Sequence, residues 1–97
     1  MRYQVVQWLH EIDDEPVLLY SEVDRCGCEV RKVEEYRSGR LDVAGDGIET
    51  GSTVLSETHL PAVEDIDGMD EFSAKEISAA EFEAVWRRAL NWFELDD

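Results

Sequence analysis

Apolar and polar side chains alternate through the first half of the chain, in segments bounded by turn residues. The segment 2–10 is rich in β-branched and aromatic residues, and its apolar side chains fall on both faces of an extended chain. This pattern predicts a central strand, or a strand covered on both sides. Segments 17–23 and 28–37 are predicted to be the next two strands, joined by a hairpin turn at Gly27.

A fourth strand is predicted around Leu41 and Val43, after a second turn at Ser38 and Gly39. Short loops between successive strands predict an antiparallel meander. Segment 53–55 is a candidate for a further short strand, so we expect four or five strands in the sheet.

The third predicted strand has an irregular pattern. Val30 and Val33 would lie on opposite faces of a regular pleat. A β-bulge near Arg31 and Lys32 would bring both side chains to the same face.

The clearest predicted element is a C-terminal helix. Ser78 and Glu81 have the spacing of a capping box, and Ile77 and Phe82 are placed for a hydrophobic staple. Apolar residues then recur at helical spacing, at Phe82, Val85, Trp86, Ala89, Leu90 and Phe93. This apolar stripe must be covered, and the sheet is the large surface available to cover it.

These elements predict an α+β fold, with an antiparallel β-meander of four to five strands and one C-terminal helix packed on a sheet face. The 97 residues fit a single domain spanning 1–97. Within it we expect a β-sheet region at 1–60, an acidic loop at 61–74, the helix at 75–93 and a frayed tail at 94–97. Pro61 is placed to begin one helical turn, and we assign no other regular structure to 64–71.

Net charge is the property of this sequence that is most informative about function. The formal net charge is -15, from 24 acidic and 9 basic residues. Such a chain repels nucleic acids and anionic membranes, so an electrostatically attracted partner is expected to be a basic protein. An acid-rich surface is also a device for solubility or for growth at high salt, and that alternative stays open.

The acidic residues are concentrated in one stretch, because segment 41–74 contains neither Lys nor Arg. Carboxylates spaced along loops can imitate a phosphate backbone and occupy a basic groove, with fast, salt-dependent association. The alternative is a solvated acidic loop. The candidate partner-binding residues are the nine acids of this stretch, Asp42, Asp46, Glu49, Glu57, Glu64, Asp65, Asp67, Asp70 and Glu71.

Reactive side chains are few. A structural zinc site needs about four ligands, whereas Cys26 and Cys28 stand without a second Cys/His cluster and His10 and His59 are isolated in the sequence. The acidic segment 65–71 has the oxygen density of a calcium loop, but it lacks the full loop pattern. We therefore predict no metal and no cofactor.

Catalysis and membrane insertion are also not indicated. The chain has no nucleophile-elbow motif, and its glycine-rich stretch 45–47 lies among acids and lacks a lysine. No catalytic residue is predicted, and the protein is not expected to be an enzyme. Neither a signal-peptide pattern nor an apolar run of about 18 residues is found, which predicts a cytoplasmic location.

A second candidate surface combines basic and aromatic residues on the central hairpin. Arg31, Lys32, Arg37 and Arg40 form a basic island there. Together with Trp8, Tyr20 and Tyr36, this face is a candidate for a small ligand-binding domain or an enzyme. The alternative is that these cations pair across strands with Glu22, Glu29, Glu34 and Glu35.

The strings EPVLLYSEVD and EVRKVEEYRSGR, with WLH before them and EISAAEFEAVW after them, resemble a bacterial family catalogued as domain of unknown function 6881. The resemblance covers about residues 1–88 and implies no established activity. In general character, the chain also resembles small acidic toxin-immunity proteins and phage counter-defence inhibitors.

The resulting hypothesis is a small inhibitor or immunity-type protein, monomeric or a small homo-oligomer, that occludes a basic partner. The partner would be a toxin or a nucleic-acid enzyme, such as a phage-defence nuclease, and the protein would not bind nucleic acid or membrane directly. The alternatives are the ligand-binding face at Trp8, Tyr20, Arg31 and Tyr36, and an accessory domain whose acidity serves only solubility or salt adaptation.

Overall fold

A single antiparallel sheet forms the centre of the protein. The computed structural model describes residues 1–51, 53–56 and 59–93. Two helices accompany the sheet, α1 (Val63–Asp67) and α2 (Ala79–Trp92). The strands are β1 (Arg2–Trp8), β2 (Leu18–Val23), β3 (Glu29–Glu35), β4 (Leu41–Gly45), β5 (Ile48–Glu49) and β6 (Phe72–Ile77).

The sheet has six strands in the order β5-β4-β3-β2-β1-β6, so the prediction of four or five strands was too low. Strands β1 to β5 form the predicted antiparallel meander. Strand β6 extends the sheet on the far side of β1, pairing Tyr3 with Ile77 and Trp8 with Phe72. This pairing makes β1 the interior strand that its apolar residues on both faces had predicted.

The segment boundaries around β6 differ from those expected. Residues 72–77 were assigned partly to an acidic loop and partly to the C-terminal helix, but they form a strand. Their polar, acid-flanked pattern is weak for a strand, and its hydrogen bonds come from β1, about seventy residues earlier in the chain. The predicted tail at 94–97 lies outside the described residues.

The third strand does contain an irregularity, slightly earlier than expected. Glu22 pairs with Arg31, whereas the neighbouring Val23 pairs with Glu29, so Val30 is the extra residue. The bulge therefore lies at Val30, directly before the predicted position near Arg31 and Lys32. It turns the Arg31 side chain towards α2 and leaves Glu29 and Lys32 on the opposite face of the sheet.

Helix α2 covers one face of the sheet as predicted. The hydroxyl of Ser78 accepts a hydrogen bond from the Glu81 amide, and the Glu81 carboxylate accepts one from the Ser78 amide, which completes the capping box. The apolar stripe packs against β3 and β4, in a buried cluster formed by Val33, Leu41, Val43, Phe82, Trp86 and Ala89. Full burial of a side chain the size of Phe82 contributes roughly 1.5–3 kcal/mol.

The opposite face is covered by α1 and by the chain that leads into it. Segment 53–55 is not a strand, so the prediction of a further short strand there was wrong. Its backbone is held by the Lys32 ammonium, which donates to the Val54 carbonyl oxygen at 2.9 Å. Further along, the Leu60 amide donates to the Gly27 carbonyl oxygen at 2.8 Å. Helix α1 then begins after Pro61, where a helical turn was expected, and buries Ile66.

Neither helix in the described ranges is long and apolar enough to cross a membrane.

Candidate functional site

The nine candidate acidic residues do not form one surface. Asp46 and Glu49 are exposed near the β5 edge of the sheet. A second group lies in and after α1, beside β6 at the opposite edge. Since five strand spacings of about 4.8 Å separate the two edges, the groups lie roughly 24 Å apart across the sheet.

Asp42 belongs to neither group. Its side chain is buried in β4, where it accepts a hydrogen bond from the Thr50 hydroxyl at 3.0 Å. The Arg40 guanidinium lies 3.4 Å from its second oxygen. Asp42 therefore organises the β4–β5 region and is not free to meet a partner. Glu57 lies outside the described residues.

The remaining candidates form what we call the α1 acidic group. All five are exposed, and the group consists of Glu64, Asp65, Asp67, Asp70 and Glu71. Glu64 and Asp65 occupy the first turn of α1, where a negative charge is favourable. Asp67 accepts a hydrogen bond from the Ala74 amide at 2.9 Å, which links the end of α1 to β6.

The α1 acidic group is a run of five exposed carboxylates without an ion pair in the described structure. In residues 1–51, 53–56 and 59–93, no ion pair includes any of its five members. By contrast, six carboxylates elsewhere are paired with Arg or Lys, namely Asp13, Glu22, Glu29, Glu35, Asp42 and Glu83. Folding thus pairs some of the carboxylates elsewhere, whereas in the described part of the chain all five members of this group remain without an ion pair.

The predicted basic island is not a free basic surface. Arg31 pairs with Glu22 on the neighbouring strand, as the cross-strand alternative had proposed. Lys32 lies 3.3 Å from Glu29, which belongs to its own strand. The Arg40 guanidinium lies 4.1 Å from the centre of the Tyr36 ring.

Arg31 instead connects the sheet to α2. Its guanidinium donates to both carboxylate oxygens of Glu83 and to Glu22. It also stands 4.9 Å from the Phe82 ring centre and 5.0 Å from that of Trp86. The hydrogen bonds from Arg31 lower the pKa of the Glu83 carboxyl below its ordinary value. These contacts assign Arg31 a structural role.

The aromatic residues of the alternative ligand-binding face are separated from one another. Tyr20 packs against the α2 core, next to Val33. Trp8 stacks with Phe72 on the face covered by α1, which is opposite the face that carries Tyr20. Tyr36 is buried beneath Arg40. The structure does not bring these residues together as a site.

The two cysteines lie in the β2–β3 turn and are free thiols. The Asp24 carboxylate accepts hydrogen bonds from the amides of Cys26 and Cys28, at 2.9 and 3.0 Å. Gly27 completes the turn with φ +84°. Burial, with the Asp24 charge next, raises the pKa of the Cys28 thiol and so disfavours the thiolate that metals bind. Among the described residues, no cluster of three His, Cys, Asp or Glu side chains is arranged to hold a metal.

Several depressions of about 330–560 Å³ lie on the described surface, including two candidate ligand sites. The first, about 560 Å³, lies at the end of β1. Its polar groups bind one another, since Arg37 donates to Asp13 and to the His10 carbonyl, and His10 Nε2 lies 2.8 Å from the Pro16 carbonyl oxygen. This depression is therefore a poor candidate.

The second depression, which we call the α1 cavity, was not anticipated from the sequence. It measures about 360 Å³ and lies between the sheet and the covering chain. Its walls are mainly apolar and include Val6, Leu19, Leu60, Ile66, Met69 and Phe72. A volume of about 300–1,000 Å³ is typical of small-molecule pockets.

One end of the α1 cavity is polar and strongly buried. Gln4, Ser21 and Glu29 line it with relative exposures of 1%, 4% and 6%. The Glu29 carboxylate accepts from the Ser21 hydroxyl at 2.6 Å and from the Ser56 amide at 2.9 Å. Lys32 completes this end as the cation facing Glu29. Gln4 and Ser21 carried little sequence signal, because their burial depends on α1 and on the chain before it, which contributes Ser56 and Leu60 to the walls.

The fold and site define a small α+β domain with one six-stranded antiparallel sheet, a helix on one face and an acidic covering segment on the other. The chain belongs to the family described as Domain of unknown function (DUF6881), whose model matches residues 2–91. This confirms the resemblance seen in the sequence. No curated protein and no solved structure matches the chain.

Proposed function

We propose that this protein is a small cytoplasmic binding module that inhibits a basic protein by occluding its functional surface. The target would be a toxin or a nucleic-acid enzyme, such as a phage-defence nuclease, and the protein would act as a monomer or a small homo-oligomer. The observation that supports this proposal is the α1 acidic group, which stays exposed and without ion pairs in the described structure.

The grouping of five exposed carboxylates supports this surface electrostatically. Uncompensated carboxylates on a chain of net charge -15 create a field that attracts a cationic surface and accelerates its approach. Carboxylates grouped along a short helix and the loop after it can take the place of phosphates in a groove built for nucleic acid. The action is binding and not catalysis.

The exposed candidate acidic residues of the described chain lie near two opposite edges of the sheet, so one partner need contact only one of the two groups. A partner that covers α1 and β6 need not reach Asp46 and Glu49, which lie near the opposite edge. Asp42 is already bound to Thr50 and Arg40. The proposed binding residues therefore reduce to Glu64, Asp65, Asp67, Asp70 and Glu71.

The test is affinity capture from lysate at low and at high salt, with the captured proteins identified by mass spectrometry. We expect a basic partner at low salt and its loss at high salt, because charge pairs between exposed groups are screened. Recovery of no basic partner at low salt would contradict the proposal.

Matched variants locate the surface. E64Q/D65N removes two charges of the α1 acidic group, and D46N/E49Q removes the same two charge types near the other edge. Binding should weaken clearly with the first pair and little with the second. Equal weakening would show that net charge alone matters.

Stability that rises steadily with molar salt, without a partner, would instead support acidity as a salt adaptation.

A further inference from the structure

The α1 cavity has features of a binding site that the proposed inhibitor function does not require. An apolar cavity formed only by imperfect packing would be lined by apolar atoms throughout. This one ends in Gln4, Ser21 and Glu29, all more than nine-tenths buried. Burial of polar side chains is costly unless they have hydrogen-bond partners, and in the described structure no buried polar side-chain atom lacks one. Their grouping at one end of an otherwise apolar cavity is therefore a specific arrangement and not a packing defect.

We infer that the α1 cavity binds a small uncharged molecule with an apolar body and a carboxamide-like end. The apolar body would lie against Leu19, Ile66 and Phe72. The polar end would face Gln4 and Lys32, which provide hydrogen-bond donors, and Ser21 and Glu29, which provide acceptors.

Among the described residues, the N–H groups at the polar end outnumber the hydrogen bonds that they make. The Lys32 ammonium has three N–H groups, and its contacts within the described chain are the Val54 carbonyl and Glu29. The Gln4 amide carries two N–H groups, and its oxygen accepts from Arg2 Nε at 3.5 Å. A ligand carbonyl oxygen would therefore meet donors.

Charge selects against ionic ligands. A carboxylate would approach the buried Glu29 in a protein of net charge -15, past the carboxylates of α1. An ammonium group would compete with Lys32 for Glu29 at short range. A neutral head that both donates and accepts avoids both penalties, which is the property of a carboxamide.

The test uses three probes with the same chain and different heads, namely octanamide, octanoate and octylammonium. Each is titrated into the 15N-labelled protein and followed by amide chemical shifts. We expect saturable shifts for octanamide confined to residues around the cavity, and affinity at least about tenfold lower for both ionic probes. Tighter binding of either ionic probe, or octanamide shifts spread over the whole surface, would overturn the inference.

Variants at Met69 test the location without disturbing the core. Met69 lines the cavity with 47% relative exposure, so a larger side chain there can block the cavity from its rim. Met69→Trp should weaken octanamide binding at least about tenfold, whereas Met69→Ala and the remote Ile12→Trp should leave it within about threefold. Unchanged binding in Met69→Trp would contradict the assigned cavity.

Gln4→Met provides a second test, because it keeps the side-chain length and removes the amide. It should reduce the preference for octanamide over octanoate, and an unchanged preference would contradict the proposed head-group contact. None of these variants alters the α1 acidic group. Loss of probe binding and loss of partner capture are therefore separable outcomes.

Discussion

The two faces of the sheet use the same strands in different ways. The face under α2 is a closed core in which Phe82 and Ala89 are fully buried. The face under α1 contains a cavity of about 360 Å³ and buried polar side chains. The difference follows from the covering elements, because α2 is a helix of 14 residues with an apolar stripe and α1 has 5 residues, of which only Ile66 is buried.

Charges differ between the faces in the same way. On the α2 face, Arg31 binds Glu22 and Glu83, and Arg88 binds Glu35, so the charges hold helix and sheet together. On the α1 side, the covering segment carries exposed carboxylates that pair with no cation in the described structure. The charges of the α2 face hold helix and sheet together, whereas the α1 side combines exposed charge with a cavity.

The largest expected effect compares one buried apolar residue from each face. Phe82→Ala should lower the free energy of unfolding by about 3–5 kcal/mol, because it empties a closed core. Ile66→Ala should lower the free energy of unfolding by about 2 kcal/mol. The loss is smaller because Ile66 lines a cavity and has fewer packing contacts to lose. Urea unfolding followed by circular dichroism measures both.

Trp92→Ala is the control for this comparison, because its side chain is 52% exposed near the end of the same helix. It should change stability by about 0.5 kcal/mol or less. Equal losses in the Phe82 and Ile66 variants would show that the two faces are packed equally well.

The next effect concerns the charge network between α2 and the sheet. Arg31→Met should lower stability by about 1.5–3 kcal/mol, because Glu22 loses a charged hydrogen-bond partner in a largely buried position. Arg37→Met is the control, since Arg37 pairs with the exposed Asp13 and should contribute at most about 1 kcal/mol. A smaller loss of stability for Arg31→Met than for Arg37→Met would contradict the structural role assigned to Arg31.

The smallest effect is a pH dependence from Glu83. Arg31 lowers the pKa of this carboxyl in the folded state, so the pair stabilises the fold above the ordinary pKa of glutamate. That contribution is lost as the pH falls through the lowered value. Glu83 is nearly half exposed, so solvent screening keeps the effect small.

Glu83→Gln should therefore be less stable than the unaltered protein at neutral pH, and the difference should shrink as the pH falls below the glutamate range. Thermal unfolding between pH 7 and pH 3 measures it, with Glu11→Gln as the control for loss of one exposed carboxylate. A stability difference that grows in acid would reverse the assigned sign.

Local signals predicted much of the fold. The glycine turns and alternating residues of the meander act between neighbours in the chain, as does the Ser78–Glu81 capping box. Strand β6 was missed because its pattern is weak and its stability comes from β1. The apolar residues on both faces of β1 were the indirect signal, since an interior strand needs a second neighbour.

The site was less predictable than the fold. The acidic stretch was visible in the sequence, but its described members are separated by the sheet order and, for Asp42, by burial. The role of Arg31 depends on Glu83, which is 52 residues away in the chain. Gln4 and Ser21 carried little signal, because a polar residue in a strand usually faces water.

The sequence by itself determined the α+β class, the meander, the capped C-terminal helix and the concentration of acid at 41–74. These properties depend on local periodicity, turn chemistry and composition. Only the tertiary structure decided which carboxylates are paired, which edge of the sheet carries the exposed group and where a cavity remains. Those outcomes depend on contacts between distant segments, and above all on the short α1 covering a face that α2 leaves open.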